Sequence, residues 1–526
     1  MQKKSRKLDY EVDMTEHITV RIPAEAAGMR LSEYLADNGY SVSAPCGGRG
    51  TCGKCRVKVL SGSFAIRKSP AEEYHPDAEG YILACRAVCT HTGAEILLPN
   101  SEGDGLTAFR HSDLSYETGS AGYGIALDIG TTTLAAALVD RRSGEILATA
   151  SRLNPQKSYG ADVISRINAC KDGELMKLQS CLLSAVSEMI AELTSACTNC
   201  VPEVMTVAGN TTMLHIFAGI SPETMGSYPF TPVFTEAQTM SGETLGLNIP
   251  TVNLLPSISA FVGSDVVGGL YASAMAEQKA PTLLIDVGTN GEMILSTGIE
   301  RGGRLISAST AAGPALEGAN ISCGMGGVAG AVSRVKGDAI SLVFQTVDDA
   351  PAVGLCGCGL IDLIAYLLEC GELDETGYLD TDPYQLCGIH EMNNNRTPTE
   401  TDVLLNGKDV REFQLAKSAI RAGIEALLDA ADLSTNDLDR IYLAGGLGYY
   451  LDPLSAIRVG LLPNLSPRKV EAVGNTSLAG AVACLCRPNA LEQIKLLATT
   501  CESFELATSP VFMEQFIEQM MFPEGE

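Results

Sequence analysis

The sequence predicts an α/β protein in which a small, strand-rich N-terminal domain precedes a larger two-lobed α/β body. Three observations predict this arrangement. Four cysteines follow the pattern Cys46-x5-Cys52-x2-Cys55-x29-Cys85. An apolar strand that runs into an aspartate and a glycine–threonine turn occurs twice in the remainder of the chain. A third apolar strand ends in a pair of glycines near residue 445.

The four cysteines predict a 2Fe-2S cluster. Such a cluster needs four thiolates, and here three of them come from one short glycine-rich loop, CGGRGTCGKC. Glycines let the backbone bend closely around the cluster and point its amides at the sulfurs. The alternatives are a zinc site or a chance cluster of buried thiols, but a zinc site would usually show two CxxC pairs and this region has one. The predicted ligands are Cys46, Cys52, Cys55 and Cys85.

The surrounding sequence predicts a β-grasp ferredoxin-like domain. Residues 18–22 alternate as a strand does, residues 29–38 have a helical pattern, and residues 56–60 form a second strand after the cysteine loop. The cysteine spacing resembles that of the adrenodoxin-like branch of this fold and differs by one residue from the plant-type spacing.

Composition excludes several classes of function. The 526-residue chain has a formal net charge of −26, which argues against nucleic acid because phosphate binding needs clustered Lys and Arg. The basic residues near the N-terminus are followed by no apolar segment typical of a signal peptide, and no run of 18 apolar residues predicts a membrane span. Seventeen cysteines without a secretion signal indicate a reducing compartment, so we expect a cytoplasmic protein. Close pairs such as Cys197 and Cys200 are expected to be buried thiols.

The chain is predicted to divide at a polar, Gly- and Ser-rich stretch without periodicity, which is typical of a flexible linker. The predicted parts are the 2Fe-2S domain at 1–99, the linker at 100–121, one ATPase lobe at 122–280, and a second lobe with C-terminal helices at 281–526.

The two similar segments, GIALDIGTTTLAAALV (124–139) and TLLIDVGTNGEMILS (282–296), predict two phosphate-binding hairpins. Backbone amides and hydroxyls of such turns can bind phosphate oxygens, while a carboxylate at the strand end can reach Mg²⁺ or its water ligands. One Asp-x-Gly-Thr segment alone could be an ordinary hairpin, but the second copy favours a binding role. The candidate catalytic residues are Asp128 and Asp286. The candidate phosphate-binding residues are Gly130, Thr131, Thr132, Gly288, Thr289 and Asn290.

The strand that ends at Gly445 and Gly446 is predicted to lie against a nucleoside, because backbone without side chains allows a close approach. The helix predicted before it, from 411 to 429, carries Lys417, Ser418 and Arg421 outside its apolar stripe. These three side chains are expected either to reach the ligand or to lie in solvent.

The order of these motifs resembles the actin, hexokinase and heat-shock chaperone superfamily, in which two ribonuclease-H-like lobes close over Mg-ATP. The run NTSLAGAVACL (475–485) resembles the second connecting helix of that superfamily. The whole architecture, from about residue 18 to about residue 490, is similar to the reductive activators of corrinoid-dependent enzymes. Further stretches that resemble that family are NPQKSYGADVISRI (154–167), VAGNTTMLHIF (207–217), AGPALEGANISCGM (312–325), GLCGCGLIDLI (354–364) and DVREFQLAKSAIRAGI (409–424).

The resemblance implies ATP-dependent reduction of a Co(II) corrinoid protein to Co(I), with one electron supplied by the 2Fe-2S cluster. The implied cofactors are the cluster, ATP and Mg²⁺. The implied partners are a corrinoid-binding protein or a corrinoid-dependent methyltransferase and a low-potential electron donor; a homodimer is also allowed.

Three alternatives stay open at this point. A sugar or acetate kinase commonly needs a carboxylate base, whereas residues 209–212 offer an amide and hydroxyls, which leaves Asp265 as a candidate. An activator of 2-hydroxyacyl-CoA dehydratases resembles this chain in fold but lacks a fused ferredoxin domain and holds a 4Fe-4S cluster between two subunits. The third alternative is an actin-like scaffold that carries a redox sensor.

Overall fold

The structure is a computed structural model, and it describes residues 18–37, 55–67, 69–77, 80–98, 121–160, 162–197, 199–337, 341–392 and 395–524. The chain divides into two compact units, one within residues 1–103 and the other within residues 104–526. Apart from residue 121, the predicted linker lies outside the described residues, and the predicted domain boundaries stay predictions. No helix of the described ranges is both long and apolar enough to cross a membrane.

The N-terminal unit is an antiparallel sheet with one helix packed against it. Its strands run in the order β1-β5-β2-β3, and β4 pairs with residues 56–58 at the start of β2. The described elements are β1 (Ile18–Ile22), α1 (Leu31–Asp37), β2 (Arg56–Ile66), β3 (Ser69–Glu73), β4 (Tyr81–Leu83) and β5 (Ala87–Leu98).

The predicted elements of this unit are found, with shifted ends. The first predicted strand coincides with β1. The helix begins two residues later than predicted because Gly28 takes a positive φ of 90° and Arg30 still bridges Val88 in the sheet. The second strand continues to Ile66 because β5 pairs along its length, with bulges that absorb the changes of register.

The first lobe of the larger unit contains a six-stranded sheet in the order β10-β11-β9-β6-β7-β8. The sulfur atoms of Cys197 and Cys200 are in contact, with their Cα atoms 5.5 Å apart; Cys200 is buried as expected, whereas Cys197 is only partly buried. The elements of this lobe are β6 (Tyr123–Ile129), β7 (Thr133–Asp140), β8 (Ile146–Leu153), α2 (Val163–Ala169), α3 (Leu175–Ala196), β9 (Pro202–Gly209), α4 (Thr211–Phe217), β10 (Gln238–Ser241), α5 (Gly242–Leu245), β11 (Thr251–Leu254) and α6 (Ser264–Ala272).

The second lobe contains a six-stranded sheet in the order β21-β20-β12-β13-β14-β22 and a separate five-stranded sheet in the order β17-β15-β16-β18-β19. Its elements are β12 (Thr282–Val287), β13 (Gly291–Ser296), β14 (Leu305–Thr310), β15 (Ala331–Gly337), β16 (Leu342–Thr346), β17 (Gly354–Leu355), α7 (Gly357–Cys370), β18 (Tyr384–Met392), β19 (Asn395–Leu405), α8 (Gly407–Ala430), β20 (Arg440–Ala444), α9 (Gly445–Tyr450), α10 (Pro453–Arg458), β21 (Val470–Gly474), α11 (Thr476–Cys486), α12 (Ala490–Thr500), β22 (Glu502–Ser503) and α13 (Pro510–Glu518).

The two six-stranded sheets share one plan. In each, a three-stranded antiparallel meander is followed by two strands that add in parallel beside its first strand: β6-β7-β8 with β9 and β11, and β12-β13-β14 with β20 and β21. The first strand of each meander is buried on both faces, as parallel neighbours and covering helices require. The repeated sequence segment therefore reflects a repeated structural unit, and the predicted α/β fold with two ribonuclease-H-like lobes is confirmed.

Two helices, α6 and α11, cross where the two lobes meet. They approach closely at Gly268 and Gly480, because a Cβ on Gly480 would lie 2.4 Å from the Cα of Gly268. Glycines at this crossing bring the N-terminal ends of both helices to the cleft between the lobes, where the candidate site lies.

Candidate functional site

Asp128 lies near the end of β6 and is held by the start of α11. The amide of Asn475 donates a hydrogen bond of 2.8 Å to Oδ2 of Asp128, and the hydroxyl of Ser477 donates one of 2.7 Å to Oδ1. Asn475 is also the N-cap of α11, since its side-chain oxygen accepts from the amide of Leu478. Loss of contact with water raises the pKa of Asp128, and the two donated hydrogen bonds oppose that rise. The carboxylate is thereby fixed in one orientation.

Asp286 occupies the matching position near the end of β12, and its neighbours are acidic. Burial, followed by the negative charges of Asp128 and Glu317, raises the pKa of Asp286 to about 7. Asp286 pairs in the sheet with Glu292 on one side and with Ala444 on the other. The two predicted catalytic aspartates thus lie within electrostatic reach of each other.

Two further carboxylates complete this acidic group. Burial and the charge of Asp286 raise the pKa of Asp265, at the start of α6, to about 7. Burial and the charges of Asp265 and Asp286 raise the pKa of Glu292 well above its ordinary value. Carboxylates gathered in this way hold protons near neutral pH unless a cation joins them.

The first predicted phosphate turn, Gly130 to Thr132, has its carbonyl groups held by lobe one. Asn154 donates to the carbonyl of Gly130 from its side chain and to that of Thr132 from its backbone, both at 2.8 Å. The buried guanidinium of Arg166 donates to the carbonyl of Thr131. Because these carbonyl groups already accept hydrogen bonds from Asn154 and Arg166, the shape of the turn is fixed before any ligand binds.

The second predicted phosphate turn joins β12 to β13 and consists of Gly288, Thr289 and Asn290. Asn290 lies within 3.4 Å of a carboxylate oxygen of Glu292. The hydroxyl of Thr289 is buried and has no hydrogen-bond partner among the described residues. A buried hydroxyl without a partner is costly, so this position is suited to a bound polar group such as a phosphate oxygen.

Gly445 begins α9 at the end of β20, with a positive φ of 79°. A Cβ at this position would lie 2.4 Å from Oδ1 of Asp286, so only glycine leaves room for that carboxylate. Gly446 follows and is exposed. The requirement for glycine at 445 therefore comes from the aspartate, and contact of either glycine with a nucleoside stays a prediction.

The residues present fit the cofactors that the sequence implies for this cleft. Within the described ranges no three Asp, Glu, His or Cys side chains lie close enough together to hold a metal ion by themselves. Mg²⁺ usually keeps several water ligands and binds through one or two carboxylates, and the charges that raise the pKa values of Asp265, Asp286 and Glu292 favour such a hydrated cation. The hydroxyl of Thr289, which has no hydrogen-bond partner among the described residues, can donate to a phosphate oxygen. The first turn, whose carbonyl groups accept hydrogen bonds from lobe one, can direct its amides at phosphate oxygens.

Two of the four predicted cluster ligands, Cys55 and Cys85, are brought together in the N-terminal unit. Both are fully buried, and their Sγ atoms lie 3.2 Å apart. Cys55 directly precedes β2, and Cys85 lies in a short helical turn between β4 and β5. The converging thiols fit a shared metal centre. Cys46 and Cys52 lie outside the described residues.

The hypothesis that Lys417, Ser418 and Arg421 reach the ligand or lie in solvent is wrong for the first two. Lys417 is buried, donates to the carbonyl of Met521 and lies over the ring of Phe522. Ser418 is also buried, and Arg421 donates to Glu425 and to the carbonyl of Leu462. This face of α8 therefore binds the C-terminal segment.

Sequence reasoning missed most of the side chains that hold the site. Asn475 and Ser477 are signalled only by a capping pattern ahead of α11. Asn154 and Arg166 lie in the stretch 154–167, whose resemblance to the family assigns no role to either residue. Glu292 lies close enough to the second turn in the sequence to be recognised as a candidate site residue. None of these contacts follows from spacing, because each joins distant parts of the chain.

Family models match nearly the whole chain. Residues 280–526 match the C-terminal domain of RACo, the ASKHA domain; residues 123–278 match the RACo middle region; and residues 15–90 match the 2Fe-2S iron-sulfur cluster binding domain.

Characterised relatives are similar over most of their length. A corrinoid activation enzyme, RamQ, from Eubacterium limosum is 33% identical over 425 residues, which cover 77% of this chain and 71% of the relative. A [Co(II) methylated amine-specific corrinoid protein] reductase from Methanosarcina barkeri is 26% identical over 445 residues, covering 76% and 77%. A solved structure described as a reductive activator for corrinoid, iron-sulfur protein matches with a TM-score of 0.68 and 28% identity, over 96% of this chain and 97% of that one.

Proposed function

The chain belongs to the family of corrinoid activation enzymes that includes the relative from Eubacterium limosum, and on that premise we propose that it reactivates a corrinoid protein by ATP-dependent reduction. One electron passes from a 2Fe-2S cluster to Co(II), which gives Co(I). The observation that carries the proposal is the joint presence of a 2Fe-2S domain and an ASKHA body on one chain, matched over 96% of its length by a reductive activator.

The energetics of the transfer explain why both parts are needed. Plant-type 2Fe-2S centres lie near about −400 mV, and the resemblance to the corrinoid activators implies that reduction of Co(II) to Co(I) needs a lower potential than this. Each factor of ten in a one-electron equilibrium corresponds to about 59 mV, so unassisted transfer is strongly unfavourable. ATP can help only if its binding or hydrolysis favours one conformation of the complex over another. A two-lobed body with its nucleotide site in the cleft is suited to this task.

We assign the cluster to Cys46, Cys52, Cys55 and Cys85. The buried pair Cys55 and Cys85 supports the assignment, because two thiols that converge within 3.2 Å are ready to share a metal centre. When bound, the cluster supplies one-electron chemistry. The chain's own contribution is to hold the thiols and to keep their surroundings apolar, since the core of this unit packs around both of them.

We assign ATP to the cleft of the larger unit. The carboxylates of Asp128 and Asp286 hold Mg²⁺ or its water ligands, and the two turns bind phosphate oxygens. The glycines at the start of α9 lie under the nucleoside. The residues that bind phosphate are Thr131, Thr132, Thr289 and Asn290, with Gly130 and Gly288 in the turns and Gly445 and Gly446 beneath the nucleoside.

The partners follow from the same chemistry. The substrate is a corrinoid-binding protein or a corrinoid-dependent methyltransferase, and a low-potential donor must reduce the cluster before each transfer. We place the protein in the cytoplasm, where such donors and free thiols persist. A homodimer is compatible with this scheme and stays a prediction.

The cluster and the ATP site are separable by substitution. Cys85→Ser is expected to abolish or distort the visible 2Fe-2S spectrum and Co(I) formation, while ATP turnover by the larger unit continues. Cys89→Ser is the matched control, because Cys89 is equally buried in the same core. Wild-type protein should contain two irons per chain. An iron content near four per chain, or an unchanged spectrum in Cys85→Ser, would contradict the cluster assignment.

A further inference from the structure

Two buried cysteines stand at the start of α7 in lobe two, with a single glycine between them. Cys356 is the N-cap of this 14-residue helix, and Cys358 is its second residue. Both are free thiols, 4% and 3% exposed. Their side chains interact directly, since the thiol of Cys358 donates a hydrogen bond to the sulfur of Cys356. The first turn of α7 therefore holds two neighbouring sulfur atoms that no step of the proposed function uses.

The two thiols differ in acidity. The hydrogen bond from Cys358 and the backbone amides of the first turn of α7 lower the pKa of Cys356 to about 7, although burial opposes this. The same hydrogen bond, followed by burial, raises the pKa of Cys358 well above its ordinary value. Near neutral pH, Cys356 is therefore partly a thiolate while Cys358 keeps its proton. One thiolate beside one protonated thiol is the arrangement that thiol–disulfide exchange needs.

Charged groups of neighbouring elements act on the pair in opposite directions. The guanidinium of Arg334, on β15, lowers the pKa of Cys358, whereas the carboxylate of Asp362, further along α7, raises the pKa of both thiols. On α9, burial and then the charges of Tyr449 and Cys358 raise the pKa of Tyr450. The acidity of Cys356 is therefore set mainly by the second thiol and by the amides of its own helix.

The pair lies under α9, the short helix that borders the acidic group of the cleft. Gly357, between the two cysteines, is in close contact with that helix, because a Cβ there would lie 2.8 Å from Cδ1 of Leu447. The Sγ of Cys358 lies 3.6 Å from the carbonyl oxygen of Leu447 and donates to it. The first residue of α9, Gly445, is in turn packed against Oδ1 of Asp286. A movement at the thiols is therefore passed through α9 to that carboxylate.

We propose that Cys356 and Cys358 form a modification site, a dithiol that closes reversibly to a disulfide and, when closed, displaces α9 and slows ATP turnover. The disulfide draws the two sulfur atoms to about 2.05 Å and removes the proton that Cys358 donates to Leu447. The contact that holds α9 on the first turn of α7 is thereby lost. The inference rests on the proposed function only for the ATP readout, since the formation of the disulfide is measured independently.

The oxidant in this reaction is a disulfide of low molecular weight. The thiolate of Cys356 attacks one sulfur of the oxidant and expels the other as a thiolate, which leaves a mixed disulfide on Cys356. Cys358 then loses its proton and attacks the sulfur of Cys356, which expels the second half of the oxidant. Two thiols become one disulfide, and two electrons and two protons pass to the oxidant, which leaves as two thiols.

The chain contains a second cysteine pair with the same spacing, which serves as an internal control. Cys484 and Cys486 both lie in α11, where side chains two residues apart do not face each other. Burial raises the pKa of Cys484 to about 12 and that of Cys486 to about 11, so neither is a thiolate near neutral pH. This pair should therefore stay reduced under conditions that oxidise Cys356 and Cys358.

The test treats the full chain, with its cluster, with glutathione disulfide under anaerobic conditions. Free thiols are then alkylated and mapped by peptide mass spectrometry. We expect a disulfide between Cys356 and Cys358 that forms faster as pH rises through about 7, while Cys484 and Cys486 stay alkylated. ATP turnover should fall at least about tenfold, because a displacement of about 1 Å near a site can cost that much. Dithiothreitol should restore turnover, and the 2Fe-2S spectrum should stay unchanged throughout.

Two substitutions separate the roles of the two thiols. Cys356→Ser should form no disulfide and should keep its ATP turnover in the presence of the oxidant. Cys358→Ser should stop at a stable mixed disulfide of glutathione on Cys356, since no second thiol is present to expel it. Equal oxidation of both cysteine pairs, a mixed disulfide that avoids Cys356, or a disulfide that leaves ATP turnover unchanged would each overturn the inference. Reduced wild-type protein that hydrolyses no ATP would instead contradict the proposed function, and the thiol map would still decide whether the dithiol closes.

Discussion

Asp128 and Asp286 occupy the same position in two copies of one structural unit, yet their surroundings differ. Asp128 accepts hydrogen bonds from Asn475 and Ser477, both neutral donors. Asp286 has acidic neighbours, and Asp265 at the start of α6 interacts electrostatically with it.

The different surroundings indicate different tasks for the two aspartates. A carboxylate held by two donors is oriented before any ligand arrives, whereas a carboxylate among other carboxylates is stabilised only when a cation arrives. We therefore propose that Asp128 is a carboxylate oriented in advance, and that the negative charge around Asp286 attracts Mg²⁺.

The largest effect is expected from Asp286→Asn. Loss of this carboxylate from the acidic group should lower ATP turnover by about 10²–10³-fold, because electrostatic groups of this kind contribute about that much in enzyme sites. The measurement is kcat for ATP hydrolysis as a function of Mg²⁺ concentration, with the cluster spectrum as a check that the N-terminal unit is intact. If both Asp286→Asn and Asp128→Asn keep turnover within a factor of about three, the assignment of the two hairpins is wrong.

Gly445→Ala should have the next largest effect. The new Cβ would lie 2.4 Å from Oδ1 of Asp286, so the carboxylate must move, and we expect the affinity for Mg²⁺ to fall about tenfold. Gly371→Ala is the matched control, because Gly371 also has a positive φ, of 77°, but a Cβ there has no neighbour within 4 Å. Both variants should lose about 1 kcal/mol of stability, and Gly445→Ala alone should lose Mg²⁺ affinity. Equal Mg²⁺ affinities in the two variants would contradict the proposed steric reason.

Opposite shifts of the pH profile are expected when the neighbours of the two aspartates are changed. Replacing Asn475 and Ser477 with Ala removes the donors that oppose the raised pKa of Asp128, so the acidic limb of ATP turnover should move to higher pH. Asp265→Asn removes a negative charge that raises the pKa of Glu292 and interacts with Asp286, so the limb should move to lower pH. The measurement is kcat/KM for ATP against pH at saturating Mg²⁺. Shifts of the acidic limb in the same direction would contradict the proposed difference between Asp128 and Asp286.

A smaller effect is expected on stability without metal. The pKa values of Asp265 and Asp286 are about 7 in the folded protein and near 3.8 in the unfolded chain. At a pH between these two values, the folded state therefore binds more protons than the unfolded state. Stability should therefore be greatest at low pH and should fall as pH rises through about 7. Thermal unfolding without metal at about pH 5 and about pH 8 measures this, and Mg²⁺ should restore stability at the higher pH. A metal-free protein that becomes more stable over this range would contradict the raised pKa values.

The sequence was sufficient for features that depend on local pattern and failed for those that depend on distant contacts. The repeated Asp-Gly-Thr segment predicted both hairpins, because a buried strand, a carboxylate and a glycine turn are adjacent in the chain. Lys417 was misassigned because polarity on a helix does not reveal that the C-terminal segment covers it. Glu317 was not recognised because its partner, Thr132, lies 185 residues away.

The central claim, that ATP at the cleft drives electron transfer to a corrinoid, is tested most directly by following Co(I) formation. Reduced protein and a Co(II) corrinoid protein are mixed under anaerobic conditions, with and without Mg-ATP, and the absorbance of Co(I) is recorded. We expect Co(I) to accumulate only with Mg-ATP in wild-type protein and in neither condition with Asp286→Asn, whose 2Fe-2S spectrum should be unchanged. Equal Co(I) formation with and without ATP would contradict the account.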